Sequence, residues 1–242
     1  GNVNRIVANG TATAEAQLNL SADGQYLTIG GYDAATGTAS VSGSGINRVI
    51  ARVDNSGTVA TTVFAGTTHS SGFRSVTSSD GLKYWTAGNG TGVTTISHTG
   101  NTTLATPTTV FSGTTNLRDV AIYNNQLYYS TGSGTTGIYK VGTGLPTTAG
   151  QTSALAFGAT DPYAYYMVNR GGTNWNCYVA YATSAGIYKW SSTDDGATWT
   201  ARGSITTSAI YGIVAKVNGA NVDVYATTTS SILKLTDTAA FD

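Results

Sequence analysis

Few residues of this 242-residue chain are able to do acid–base or metal chemistry. Glu15 is the single glutamate, Cys177 is the single cysteine, and His69 and His98 are the two histidines. One cysteine excludes an intrachain disulfide, and two histidines without an H-x-x-x-H spacing do not predict a zinc site. Paired carboxylates for glycoside hydrolysis would have to come from the eleven aspartates. The sequence therefore predicts no catalytic residue, no metal and no cofactor.

The aspartates mostly lie in turn patterns. Asp23 in "SADG", Asp80 in "SSDG" and Asp194 in "SSTDDGATWT" each lie one or two residues before a glycine, between two strand-like runs. Aspartate at such a place accepts hydrogen bonds from the backbone of the turn. We therefore expect these carboxylates to be structural. His98 is expected in an outer hairpin, whereas His69 lies in a connection that could reach a binding surface.

Composition narrows the function classes. Charged residues make up 10% of the chain, the net charge is +0, and no run of Lys and Arg is present, so nucleic acid is not expected as a partner. The sequence contains no run of eighteen apolar residues, so no transmembrane segment is predicted. The surface must be rich in Thr, Ser, Asn and Gly, which favours a secreted or cell-surface protein. Asn9, Asn19, Asn89 and Asn101 open N-x-S/T triplets, which matter only in a host that glycosylates asparagine.

Turn signals recur along the chain at a spacing of about 45 residues. They include Asp23, Asp80, Asn124, Asn169 and Asn218. Each is followed by a run rich in β-branched and aromatic residues, a turn and a further strand-like run. No segment carries apolar residues at helical spacing, so helix is expected to be nearly absent. Four short strands per unit of this length are typical of a β-propeller blade.

We therefore predict an all-β, single-domain β-propeller of five four-stranded blades over residues 1–242. A solenoid is disfavoured by the unequal unit lengths, and a sandwich by the repeated order of the runs. The last unit supplies only three strands, and we expect an N-terminal strand to close it. Six blades remain the alternative if further strands lie outside this sequence. The blades are predicted at about 13–70, 71–114, 115–160, 161–208, and 209–242 together with 1–12.

The segment 192–199 matches S-x-D-x-G-x-T-W, which resembles the Asp-box hairpin motif of sialidases and many secreted propellers. That resemblance implies a structural turn on the side away from the ligand, built by Ser192, Asp194, Gly196 and Trp199. Units such as "LSADGQYLTIGGYD" also resemble the uncharacterised secreted bacterial propellers of the broad YVTN-like group. No enzymatic activity comes with that group.

A candidate binding face follows from aligning the repeats on their turns. Arg74, Arg118 and Tyr163 fall at equivalent positions where inner strands begin, so they are expected around one mouth of a channel. Guanidinium, carboxylate and aromatic groups there suit a small polar or sugar-like ligand. The structural alternative is that the arginines pair with carbonyls or carboxylates of the channel wall. The full candidate set is Arg74, Arg118, Asp119, Tyr163, Asp161, Tyr32 and Asp33.

The predicted function is a non-catalytic extracellular module that binds or has a structural role, with carbohydrate or another protein as partner. A carbohydrate-active enzyme, either a glycosidase or a lyase, is one alternative. A subunit of an extracellular assembly is another. An enzyme requires two carboxylates, or Tyr with His, at a cleft, whereas a module would keep its aspartates in hairpins.

Overall fold

The computed structural model describes residues 5–43, 45–97, 99 and 104–238. These residues form twenty β-strands and no helix, as the composition and periodicity predict. None of the described segments is thus an apolar helix able to cross a membrane. In chain order the strands are β1 (Leu18–Leu20), β2 (Tyr26–Tyr32), β3 (Arg48–Asp54), β4 (Val59–Phe64), β5 (Gly72–Ser78), β6 (Lys83–Asn89), β7 (Val93–Ser97), β8 (Leu104–Ala105), β9 (Thr108–Phe111), β10 (Leu117–Tyr123), β11 (Gln126–Thr131), β12 (Gly137–Val141), β13 (Ser153–Gly158), β14 (Pro162–Gly171), β15 (Asn174–Tyr181), β16 (Gly186–Ser192), β17 (Thr200–Thr206), β18 (Gly212–Asn218), β19 (Asn221–Thr227) and β20 (Ile232–Asp237).

The strands form five sheets, most of them four-stranded. The second, third and fourth sheets contain β5-β6-β7-β9, β10-β11-β12-β13 and β14-β15-β16-β17. The first sheet has the order β1-β2-β3-β4-β8, and the last has β18-β19-β20. Within each sheet most neighbouring strands are consecutive along the chain, which is the order that sequential hairpins produce. The all-β class and the small sheets are therefore confirmed.

Local turn chemistry explains the tight hairpins. Between β10 and β11 only Asn124 and Asn125 form the loop, and both have positive φ, 49° and 54°. A two-residue type I′ turn needs positive φ at both positions, and asparagine tolerates it better than most residues. The turn signal that the sequence analysis placed at Asn124 is thus the two-residue turn formed by Asn124 and Asn125.

The edges of the first sheet were not predicted. β8 pairs in parallel with β4, where Val63 faces Leu104. On the opposite side, Val7 N donates to Tyr32 O over 3.1 Å and Tyr32 N donates to Val7 O over 2.9 Å. A Cβ on Gly31 would lie 2.9 Å from Val7 O, so glycine permits this close approach.

The expected closure of the last sheet by an N-terminal strand is therefore wrong for residues 5–12, since Val7 pairs with the first sheet. Residues 1–4 lie outside the part of the chain that the structure describes. Among the described residues, the last sheet has three strands. The bridge to β2 gives the backbone N–H and C=O of Val7 hydrogen-bond partners. These groups therefore do not need partners in the last sheet.

The chain forms two compact units, Gly1–Tyr129 with Lys140–Ala154, and Ser130–Tyr139 with Leu155–Asp242. In the first unit, Phe64 and Phe73 pack edge to face with ring centroids 5.4 Å apart within a buried cluster. In the second, Tyr178 and Val224 belong to the core that β14, β15, β18 and β19 share. The predicted division into blades of a single domain stays a prediction.

Candidate functional site

Three inner strands of the first unit are joined by one polar network. Asn19 in β1 donates from Nδ2 to Ser75 Oγ over 3.1 Å, and Ser75 in β5 donates to Asp119 Oδ1 in β10 over 2.6 Å. Asp119 is 3% exposed. A buried carboxylate needs such donors because desolvation would otherwise disfavour its charge. The first strands of three sheets therefore lie side by side. The Asp119 carboxylate accepts a hydrogen bond that joins two of them.

Arg74 is the extra residue of a β-bulge in β5. Its neighbours Phe73 and Ser75 pair with consecutive residues of β6, which leaves Arg74 without an opposite residue. A bulge re-aims the side chain of the extra residue. The guanidinium Nη1 donates to Asn116 Oδ1 over 2.5 Å and to Leu117 O over 3.2 Å. Arg74 thus reaches the start of β10, next to the half-buried Arg118.

Tyr163 in the second unit has the same backbone irregularity. Pro162 and Ala164 pair with consecutive residues of β15, so Tyr163 is the extra residue of a bulge at the start of β14. Its ring packs edge to face against Tyr211, with centroids 5.5 Å apart. The preceding Asp161 is buried and accepts a hydrogen bond from Thr183 N. Two of the three positions aligned from the sequence therefore share one local geometry.

Tyr32 and Asp33 differ sharply in environment although they are adjacent. Tyr32 is fully buried, donates to Glu15 Oε2 over 2.8 Å and accepts from Phe73 N over 2.9 Å. Asp33 forms an exposed ion pair with Arg5 at 2.8 Å. Tyr32 therefore presents no surface to a ligand in this structure. The assignment of Asp33 to a ligand stays a prediction.

Glu15 is a functional candidate that the sequence analysis did not place. Burial raises the pKa of the Glu15 carboxyl, and the hydrogen bond from Tyr32 and the charges of Arg74 and Arg48 oppose that rise. Burial also raises the pKa of Tyr32. The only signal in the sequence was that Glu15 is the sole glutamate, because its surroundings carry no strand pattern. The pair is a part-buried hydrogen bond whose carboxyl also responds to the charges of two arginines.

Arg48 is buried completely within the first unit. It donates to Ser42 O over 2.7 Å, to Gly43 O over 3.0 Å and to His69 O over 2.9 Å, and its guanidinium lies 4.9 Å from the centroid of the Tyr32 ring. Burial lowers the pKa of Arg48, while the charges of Tyr32 and Glu15 raise it. The Arg48 guanidinium therefore fixes the loop that contains Ser42 and Gly43 by hydrogen bonds from the protein interior.

His69 is also buried, so the prediction that it reaches a binding surface is wrong. Its ring stacks on Phe73 with centroids 5.6 Å apart, and Nε2 shares a 2.8 Å hydrogen bond with Thr86 Oγ1. Burial lowers the pKa of His69 to about 3. The imidazole is neutral and structural because its apolar surroundings disfavour the charged form. His98 lies outside the described residues.

The turn at 192–199 is stabilised by Asp194, which the sequence analysis predicted to have a structural role. Asp194 Oδ1 accepts from Ser192 Oγ over 2.7 Å and from Thr198 N over 2.8 Å. Hydrogen bonds from Thr198 and then from Ser192 lower the pKa of Asp194 to about 2. Gly196 has a φ of 80°, and the Trp199 ring lies 5.2 Å from that of Phe157.

Two further aspartates have similar partners. Asp23 Oδ1 accepts from Ser21 Oγ over 2.6 Å, and Asp80 Oδ1 accepts from Leu82 N over 2.9 Å. Throughout the described ranges, no three His, Cys, Asp or Glu side chains gather closely enough to hold a metal ion. Cys177 is buried, and burial raises the pKa of its thiol. The two aspartates therefore stabilise turns, and the Cys177 side chain is part of the core.

Comparison with known proteins identifies the fold. No family model and no curated protein matches the sequence. Hydrazine synthase of Kuenenia stuttgartiensis superposes with a TM-score of 0.55 at 13% identity, over 93% of this chain and 59% of that one. The WD40 β-propeller domain of Doa1 superposes with a TM-score of 0.52 at 11% identity, over 94% of this chain and 67% of that one.

The fold is that of a β-propeller. The chain spans about three-fifths of the hydrazine synthase chain and two-thirds of the Doa1 chain. At such low identity the similarity concerns the fold alone, and no activity follows from it.

Proposed function

We propose that the chain is a non-catalytic binding module, and that Arg74 and Arg118 are its main ligand contacts. The β-bulge at Arg74 carries this proposal, because it recurs at the aligned position Tyr163. Bulges next to binding sites redirect single side chains, and a bulge repeated at one position of two sheets needs a common reason. Directing those side chains toward a ligand is such a reason.

The chemistry of the two arginines suits a ligand with hydroxyl or acidic groups. Guanidinium presents a planar set of donors that matches carboxylates and vicinal oxygens. Asn116 and Leu117 O orient the Arg74 guanidinium toward the start of the next inner strand. A preoriented side chain loses less entropy on binding. We therefore propose carbohydrate as the ligand class, with a protein partner as the competing outcome.

The placement of the carboxylates favours binding over hydrolysis. Asp23, Asp80 and Asp194 accept hydrogen bonds within turns, and the Tyr32 hydroxyl that contacts Glu15 is buried. A general acid and a general base must reach the substrate within hydrogen-bond distance. The three aspartates stabilise turns instead, and the partner of Glu15 is a buried hydroxyl.

Finer architecture and location belong to the same proposal. We propose five blades, or six if strands outside this sequence contribute, and kinship with secreted propellers of the Asp-box or YVTN-like type. The low charge and abundance of Thr and Ser support a secreted or cell-surface location. Fractionation of the native host with an antibody to the chain tests this, and finding the protein only in the cytoplasm would refute it.

The binding proposal is tested on a glycan array with the 242-residue chain and its Arg74→Ala and Arg118→Ala variants. Each variant is expected to lose at least tenfold in affinity for the glycans bound, which is about 1.4 kcal/mol. Lys216→Ala is the matched control, because it removes one positive charge from an exposed position on β18. Unchanged binding in both arginine variants would remove the proposed site, and an array without signal would exclude carbohydrate.

A further inference from the structure

The single glutamate of the chain lies against the strand that carries Arg74. Glu15 is half-buried, and its Oε1 lies 2.8 Å from the position that a Cβ on Gly72 would occupy. Gly72 is the first residue of β5 and precedes Arg74 by two positions. Because glycine has no Cβ, the carboxylate can approach the strand this closely. Glu15 therefore lies beside the strand that holds the proposed ligand contact.

The backbone next to Glu15 is bonded to the same bulge. Gln17 N donates to Arg74 O over 3.1 Å. Ala16, between Glu15 and Gln17, has a φ of 58°, which is uncommon for a residue other than glycine. Such conformations persist where the surrounding structure imposes them, and they cluster at functional sites. The uncommon turn at Ala16 thus keeps Glu15 next to the bulge while Gln17 bonds to it.

The Glu15 carboxylate is held in one orientation. Its Oε2 accepts from the Tyr32 hydroxyl over 2.8 Å, and that hydroxyl accepts from Phe73 N over 2.9 Å. Phe73 comes directly before Arg74 in β5. Tyr32 is fully buried, so its hydroxyl has a fixed position. The carboxylate therefore stays beside the bulge, whichever ligand approaches Arg74.

The Glu15 charge acts on two guanidinium groups. The charges of Arg74 on β5 and Arg48 on β3 lower the pKa of the Glu15 carboxyl, against the larger effect of burial, which raises it. The titratable group in direct contact is Tyr32 on β2. Opposite charges that affect each other's ionisation attract each other. Part of the positive charge at Arg74 is thus balanced by a carboxylate of the chain itself.

We propose that Glu15 is a specificity-determining residue of the Arg74 site, and that it makes the site select neutral, hydroxyl-bearing glycans over acidic ones. This inference rests on the binding function proposed above. The hydroxyl groups of a neutral sugar accept hydrogen bonds from a guanidinium without opposing the carboxylate. An anionic group at Arg74 would lie near a second negative charge. Like-charge repulsion of this kind rejects the wrong ligand.

Protonation of Glu15 should remove this selection. Burial raises the pKa of the Glu15 carboxyl above its ordinary value. Below that pKa the carboxyl is neutral, so the repulsion of an acidic ligand is lost while the binding of a neutral one changes less. The preference for neutral glycans is therefore expected at neutral pH and should diminish as the pH falls. A sulfate ester is a suitable acidic probe because it stays ionised throughout.

The test compares a neutral glycan with its sulfated form, choosing a glycan whose binding Arg74→Ala weakens. Glu15→Gln keeps the side-chain shape and an acceptor for the Tyr32 hydroxyl but removes the charge. Wild type is expected to bind the neutral form at least fivefold tighter. Glu15→Gln is expected to reduce that ratio at least threefold, mainly by tightening the sulfated form. Asp54→Asn is the matched control, because it removes one negative charge at the opposite end of β3 from Arg48, and should leave the ratio within twofold.

The inference is overturned if Glu15→Gln leaves the ratio unchanged or weakens both forms equally, since the role of Glu15 would then be structural. Tighter binding of the sulfated form by wild type would also overturn it. The affinity for the sulfated form should rise between pH 7 and pH 4 more in wild type than in Glu15→Gln, and equal rises in the two proteins would contradict the inference.

Inorganic sulfate tests the same repulsion without a glycan. It is titrated against the 242-residue chain and followed by the NMR resonance of the Arg74 Nε–H group. Sulfate is expected to bind at least threefold tighter to Glu15→Gln than to wild type and Asp54→Asn. Equal sulfate affinities would overturn the inference. An array without signal would refute the carbohydrate ligand proposed above, and the sulfate result would then decide the role of Glu15.

Discussion

The first and the last sheet are built from the same kind of hairpins but complete their edges differently. In the first, Val7 bridges to Tyr32 beside β2 and β8 pairs with β4 on the far side. In the last, β20 has one neighbour among the described strands and Ile232 is 77% exposed. Hairpins form from adjacent sequence, whereas edge protection requires segments that are distant along the chain.

The two regions also differ in how far each buries an arginine. Arg48 is fully buried and donates to carbonyls of one loop and of His69. Arg170 is half-buried and donates to Asn221 O over 2.9 Å and to Ala220 O, at the turn that precedes β19. Stability is therefore expected to depend more on the interior of the first sheet than on contacts of the last.

The largest effect is expected for Arg48→Leu. Leucine leaves the His69 carbonyl, which accepts a buried hydrogen bond, and the part-buried carbonyls of Ser42 and Gly43 without this donor. An unsatisfied buried group costs about 1–3 kcal/mol. The free energy of unfolding should fall by at least about 3 kcal/mol, as measured by urea denaturation followed by circular dichroism. Arg170→Leu is the matched control at the last sheet and should cost about 1 kcal/mol, since water can replace its hydrogen bonds. Equal losses in the two variants would contradict the contrast between the sheets.

A pH-dependent effect of intermediate size is expected from His69. Its pKa is about 3 in the folded protein and 6.5 in the unfolded chain, so the unfolded state binds the extra proton between these values. The free energy of unfolding attributable to His69 should thus fall by about 1.4 kcal/mol for each pH unit below about 6.5.

His69→Gln should remove this component, so that stability declines less steeply on acidification from pH 6 to pH 4. Urea denaturation at several pH values measures the slope. His98→Gln serves as the control because His98 is the only other histidine of the chain. A slope that is unchanged in His69→Gln would mean that the imidazole is not buried in the neutral form.

The smallest effect is expected for Ile232→Thr at the exposed start of β20. Substitutions on open surface usually change stability by less than about 0.5 kcal/mol. The matched change in the first sheet is Ile50→Thr in β3, where the side chain is fully buried and its loss should cost about 2 kcal/mol or more. Similar losses in both variants, measured by urea denaturation, would show that the β20 edge is covered in solution.

Sequence reasoning located the hairpins because their signals are local. The "NN" at Asn124 and Asn125 occupies a two-residue loop, and Asp194 accepts the hydrogen bonds of its own turn. The alignment of Arg74 with Tyr163 also agrees with a shared bulge. A turn and the strands beside it involve residues a few positions apart, so residue types there carry the information directly.

The same reasoning missed the burial of His69 and the contact between Glu15 and Tyr32. His69 reaches Thr86 and Phe73, and the Glu15 carboxylate lies beside Arg74 and Arg48. Phe73 lies near His69 in sequence, but Thr86 is 17 residues from His69 and Tyr32 is 17 residues from Glu15, and no periodic pattern marks these pairs. Only packing of different sheets brings such groups together, and burial then decides their protonation.

By itself, the sequence determined a repeated all-β chain with few ionisable groups, because β-branched runs and Asp, Asn and Gly turns act over short distances. The tertiary structure decided which strand edges are covered, which guanidinium is buried, and where a bulge redirects Arg74, Tyr163 or Arg202. Those outcomes depend on contacts between residues that are far apart along the chain, and loop-closure entropy and packing select among them only when the sheets assemble.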